Sequence, residues 1–193
     1  MKGIELLKVL QKINKSFYTV ADLEKVTGLR RNSLYVALKR WVAAGIIERV
    51  AQGIYLPMGS LVSMETLAAQ LYLPNYLSFE SALAGYGILN LIPYTIAFAT
   101  PRKTKTYVLR KQEVEFRQMA QDLFFGFEMK NGIYIASPEK AFLDEVYFLA
   151  RGKVTLDVDE IDIKKLSIKR LNDYSRSFPT YVRNRIEEIL PKR

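Results

Sequence analysis

The sequence predicts an α+β chain, in which a small N-terminal unit of three helices and a β-hairpin precedes a larger mixed α/β unit with an antiparallel sheet. Three observations predict it. Within the first 57 residues, three stretches with helical apolar spacing lead into two short β-type segments separated by a glycine turn. Pro57, Met58, Gly59 and Ser60 then break the pattern. Beyond the break, alternating apolar segments with an Asn-Gly turn are interspersed with capped helical stretches. The expected domains are therefore 1–60 and 61–193.

Residues 4–14 place Ile4, Leu7, Val9, Leu10 and Ile13 largely on one helical face. Thr19 reads as the N-cap of VADLEKV, whose Val20, Leu23 and Val26 give a second stripe, and Gly28 suits the left-handed position that ends it. A third helix is expected to start between Arg31 and Ser33 and to end near Gly45, with Leu34, Ala37, Leu38, Trp41 and Val42 inward. Ile46 to Val50 and Ile54 to Leu56 read as strands, with Gly53 supplying a positive φ between them. Three helices and a hairpin in this order, with a tight glycine turn between the second and third helices, is the winged helix-turn-helix arrangement.

Downstream, METLAAQLY and LPNYLSFESALAGYGILN read as helical, with Ser78 as a cap. YTIAFAT, KTYVL, EVEFRQ, LFFGFEM and IYIAS read as strands, and Asn131-Gly132 as a hairpin turn between the last two. Ser137-Pro138 opens a helix running to about Ala150. Residues 151–163 read as irregular, and Ser167 and Phe178-Pro179 introduce two final helices.

The chain has no cysteine and no histidine, which excludes a thiol nucleophile, a Cys/His zinc site, a disulfide framework and a histidine general base. With no catalytic constellation in the sequence, the expectation is a protein that is not an enzyme and holds no cofactor and no metal. No apolar run approaches the roughly 20 residues that span a bilayer. The N-terminus, MKGIELLKVLQKIN, has helical periodicity instead of an apolar signal region, so no signal peptide and a cytoplasmic location are expected.

Charge is unevenly spread. The formal net charge is +9; residues 1–60 hold 10 Lys+Arg and 4 Asp+Glu, a net +6, whereas residues 61–193 hold 19 and 16, a net +3. The asymmetry points to an N-terminal surface for a polyanion, although charge placed for solubility gives the same sum. The stretch LRRNSLYVALKRWVAAGII (29–47) concentrates it. Its inward stripe docks the third helix and leaves Arg30, Arg31, Asn32, Ser33, Tyr35, Lys39 and Arg40 at the open end or outer face. Arg and Asn bind base edges in a bidentate way, while Lys and a helix N-terminus suit phosphates. Arg49 and Gln52, on the wing, are placed to reach the adjacent backbone or minor groove. Four cations and no acid between Gly28 and Ala44 favour DNA over a winged helix used only as a protein-interaction adaptor.

Other motifs admit plainer readings. In SPEKAFLDEVY (137–147), Lys140 and Asp144 stand at i and i+4, as an ordinary surface pair on the order of a few tenths of a kcal/mol does, and Glu139 suits the helix N-terminus. FESALAGYG reads as close packing by small residues. PRKTKTYVLRK (101–111) fits either an extension of a nucleic-acid surface or a strand edge guarded by lysines. DVDEID (157–162) lacks the glycine and terminal glutamate of a calcium loop and reads as a solvated turn.

Three stretches occur in a familiar order: QGIYLP at 52–57, YLSFESALAGYGIL at 76–89 and SPEKAFLDEVY at 137–147. Together with the N-terminal winged helix, they resemble the AbiEi family, antitoxin-like transcriptional regulators of type IV toxin–antitoxin and abortive-infection (phage-defence) modules. The resemblance implies a repressor that binds inverted repeats of double-stranded DNA in its own promoter. It also implies a nucleotidyltransferase-like toxin, counteracted by the C-terminal domain with or without a stable complex. The C-terminal part is shorter here than in longer members of that family. Against this stand the adaptor and, in a third class, a nuclease or nucleotidyl-processing enzyme using carboxylates and magnesium, which the missing histidine and missing paired-carboxylate motif disfavour.

Overall fold

A computed structural model describes residues 2–155 and 157–190. Among these residues it contains eight α-helices and nine strands, in a mixed α+β arrangement. The chain divides into two compact units, one of residues 1–67 with 108–111, the other of residues 68–107 with 112–193.

In the first unit, α1 (Gly3–Ile13), β1 (Tyr18–Thr19), α2 (Val20–Thr27) and α3 (Arg31–Ala43) precede the hairpin of β2 (Ile47–Ala51) and β3 (Ile54–Pro57). The three strands form an antiparallel sheet in the order β1-β3-β2. Thr19 caps α2 reciprocally. Its hydroxyl accepts from the Asp22 N–H at 3.2 Å, and the Asp22 carboxylate accepts from the Thr19 N–H at 2.9 Å. Gly28 ends the helix in the left-handed conformation, at φ 68°.

The core joins Leu6, Leu10, Tyr18, Leu23, Leu34, Leu38, Trp41 and Tyr55. α1 therefore buries Leu6 and Leu10, whereas Ile4 and Ile13, expected inward, are exposed. Apolar residues surround more than half of α1, so spacing alone did not select the buried row. Val42 is likewise exposed rather than inward, because it stands about 100° around α3 from Trp41.

The second unit is built on a six-stranded sheet in the order β6-β7-β5-β4-β9-β8. Its strands are β4 (Tyr76–Leu77), β5 (Thr95–Thr100), β6 (Lys105–Leu109), β7 (Gln112–Gln118), β8 (Phe127–Lys130) and β9 (Ile133–Ala136). This sheet is mixed, which corrects the expected antiparallel one. β5 runs parallel to β7 and β4 parallel to β9, while β4–β5 and β8–β9 are antiparallel. Sequence neighbours such as β5 and β6 are not paired, because β7 lies between them. The Asn131-Gly132 turn has both residues at positive φ, 50° and 82°, which matches the twist of the two strands it joins. β6, from the basic stretch, is an edge strand.

Helices α4 (Met64–Ala69), α5 (Phe79–Gly85), α6 (Pro138–Leu149), α7 (Ile168–Ser175) and α8 (Thr180–Ile189) complete the chain. The long helix expected over 73–90 is a cis Leu73-Pro74 bond, the strand β4 and the short α5. Ser78 stands at the N-cap of α5 but makes no capping bond, since its hydroxyl is committed elsewhere.

α6 occupies the centre of this unit's core, packed on α5, α7 and α8. Ser137 caps it, accepting from the Lys140 N–H, with Pro138 in the first turn. Glu139, Lys140, Asp144 and Glu145 on this helix are all buried. Lys140 and Asp144, expected on the surface, are both 0 % exposed. Their pair is closed by the Lys140 ammonium donating to the Tyr76 hydroxyl at 2.9 Å, and by Asp144 accepting from Tyr76 at 3.0 Å and Ser78 at 2.7 Å. The rings of Tyr76, Phe125 and Phe178 surround the ammonium at 5.1–5.3 Å. Burial pushes the Asp144 pKa up and the Lys140 pKa down, each opposed by the other's charge. Gly126 (φ 74°) lets the chain pass this close, since a Cβ there would lie 3.1 Å from Lys140 Cγ.

Candidate nucleic-acid interface

The first unit places the sequence-predicted binding residues in two groups. Arg30 is the residue before α3 and offers no side-chain cap, and Arg31, Asn32 and Ser33 form the first turn, which contains no acid. All four are exposed. Tyr35, one turn along, and Glu24 raise the Arg31 pKa further. A helix start with unpaired N–H groups and adjacent cations is electrostatically prepared for an anion.

The second group surrounds a cleft of about 610 Å³ between α3 and the β2–β3 hairpin. Tyr35 and Lys39 enter it from the helix, Arg49 and Gln52 from the hairpin, and Val42, Val20 and Tyr55 contribute apolar surface. No acid lines it. The hairpin position follows from local chemistry: Gly53, at φ 74°, closes the turn, and Arg49 is oriented by a weak 3.4 Å contact from its Nε to the Ala51 carbonyl. Arg40 is exposed but outside this lining, about 100° around the helix from Lys39. The helix is anchored from beneath by Leu34, Ala37, Leu38 and Trp41. Residues 108–111 belong to the same unit and brace the hairpin: Arg110 donates to Glu48 at 2.7 Å and to the Val50 carbonyl at 3.0 Å.

The sequence did not point to Val42 as a cleft residue. Its position at the margin of the apolar stripe was the available signal. Nor did it point to the polar constellations of the second unit. There, the stretches 76–89 and 137–147 are two halves of one buried network, joined by the Tyr76 and Ser78 bonds to Asp144. They meet again where Glu80 and Glu145 face Arg117, at 2.7 Å and 3.7 Å. The Lys140–Asp144 network is sealed from solvent and fully bonded, which suits a packing determinant and gives a substrate no access. No known protein family matches the chain, and no curated protein is similar to it.

Proposed function

We propose that residues 1–60 form a winged helix-turn-helix that binds double-stranded DNA, with α3 in the major groove and the β2–β3 hairpin as the wing. The observation that carries this reading is the cleft to which α3 contributes Lys39 and Tyr35 and the hairpin Arg49 and Gln52, with no acid among the described residues that line it. Arg31 and Asn32 read bases from the start of α3, and Lys39 and Arg40 hold phosphates further along. Arg30 and Ser33 supply further contacts at the helix start. Exposed Val36 suits a thymine methyl group.

In the fuller reading, residues 61–193 are an antitoxin domain, and the protein is a cytoplasmic autorepressor of a type IV toxin–antitoxin module. It binds inverted repeats in its own promoter and counteracts a nucleotidyltransferase-like toxin. This part rests on the resemblance to AbiEi proteins. In its support, two of the three stretches that carry the resemblance, 76–89 and 137–147, pack together in one core. The adaptor reading has the exposed Val36 and Val42 in its favour.

The deciding experiment titrates the full chain with its own upstream DNA and with scrambled duplex at several salt concentrations. Lys39→Ala is expected to weaken both and to lower the salt slope by about 1. Arg31→Ala is expected to cost ~1–3 kcal/mol on the cognate site alone. Binding without salt dependence, or unchanged in both variants, would leave the adaptor as the better description.

A further inference from the structure

The second unit holds a constellation that the DNA reading does not use. Arg117, on β7, has a side chain only 8 % exposed and faces three carboxyl groups. Glu80 engages it through two bonds of 2.7 Å, Glu115 approaches at 2.8 Å, and Glu145 stands at 3.7 Å, beyond hydrogen-bond reach. One guanidinium therefore leaves carboxylate capacity in excess. Among the described residues, Oε2 of Glu145 has no hydrogen-bond partner although that side chain is 4 % exposed. An orphaned buried carboxyl oxygen is costly and calls for an explanation.

Glu80 and Glu145 line a cleft of about 330 Å³ whose apolar walls include Leu89 and Val154. Asp157 and Glu160 add two further acids to its lining. Their segment is held in place by backbone pairing: Asn90 donates to the Glu160 carbonyl at 3.2 Å, and Asp162 to that of Ile88 at 2.8 Å.

We propose that this cleft binds an organic cation bearing a guanidinium or primary ammonium group, with the Glu145 carboxylate as its anchor. The cation's donors satisfy the orphaned oxygen, and its aliphatic stem packs on Leu89 and Val154. The excess of acids supplies attraction, while DNA phosphates are repelled. A bare divalent ion is a poorer occupant, since among the described residues no group of three or more acids could hold a metal. The same chemistry is offered by an Arg or Lys side chain of a protein and by a free polyamine.

Burial and the charge of Glu80 push the Glu145 pKa up to about 8, opposed by Arg117. The groups around it are Glu80 from α5, Arg117 from β7, itself paired with Glu115, and Asp157 and Glu160 in the lining of the cleft. Cation binding must expel the Glu145 proton at neutral pH, so affinity is expected to rise about tenfold between pH 7 and pH 9.

Calorimetric titration of the full chain with N-acetyl-arginine amide, spermidine and magnesium chloride tests this. An organic cation is expected to bind, with affinity rising with pH and falling at least tenfold in Glu145→Gln. Tighter binding of the arginine amide assigns the site to a protein side chain, and tighter binding of spermidine to a free polyamine; both support the proposal. If Glu145→Gln does not fold, the double variant Asp157→Asn with Glu160→Gln decides, with at least threefold weakening expected. The proposal is overturned if neither organic cation binds, if binding ignores these substitutions, or if magnesium alone binds in a Glu145-dependent way.

Discussion

Removing the carboxylate of Asp144 tests whether the network inside the second unit behaves as a buried ion pair. In Asp144→Ala the Lys140 ammonium, 0 % exposed, loses its counter-charge, and the hydroxyls of Tyr76 and Ser78 lose the acceptor at 3.0 Å and 2.7 Å. Breaking a fully buried pair costs ~3–5 kcal/mol, because an uncompensated charge stays behind. Release of the Lys140 proton, already favoured by burial, limits the loss, so about 4 kcal/mol is expected. Replacing both members, as in Lys140→Met with Asp144→Leu, removes the charge along with its partner and is expected to lie within about 1–2 kcal/mol of the parent. Urea unfolding of the full chain, followed by far-ultraviolet circular dichroism, reads both. The single variant should lower the midpoint of the affected transition by about 2 M. A shift under about 0.5 M would refute the buried-pair account. Equal losses in the single and double variants would assign the cost to packing instead.

Glu145 gives a pH-dependent expectation. Its folded pKa, about 8, lies above the ordinary 4.5, so its contribution to stability is fully present below about 4.5 and is lost as pH rises through about 8. The stability of the parent relative to Glu145→Gln should therefore fall by roughly 3 kcal/mol between pH 5.5 and pH 8.5. A difference that stays flat with pH would show that Glu145 is ionised throughout. Trp41→Ala should cost ~3–5 kcal/mol in the first unit, where that ring is 3 % exposed. Thermal melting like the parent's would contradict its role as the main anchor of α3.

Features written in short-range chemistry were legible in the sequence. Thr19, Gly28, Asn131-Gly132 and Ser137-Pro138 each impose a local backbone solution, and each appears in place. At the α3 cleft, Tyr35 and Lys39 were legible, since a helical stripe that docks inward fixes what is left outside, whereas Val42 at the margin of that stripe was not. Parallel pairing was not legible: β4 is two residues long, and its partner β9 lies far along the chain, so nothing local encodes the contact. The Lys140–Asp144 pair was misplaced because an i, i+4 pair looks alike on a surface and in a core. The missed signal was the rest of the helix. Ala141, Phe142, Leu143, Val146, Tyr147 and Phe148 point in every direction around α6, and a helix apolar on all sides has no solvent face for its charges.

That enclosure has a kinetic counterpart. A helix walled in on every side has no surface from which to fray, so its middle amides have no local route to solvent and exchange only when the surrounding unit opens. The amides of Ala141 to Val146 should be among the last to take up deuterium, and their rates should report the opening free energy of the whole second unit. α3, with one face open along its length, should exchange through smaller excursions. Residues 141–146 thus offer an internal gauge, read without any attached probe, of whether a ligand or a substitution has tightened or loosened that unit.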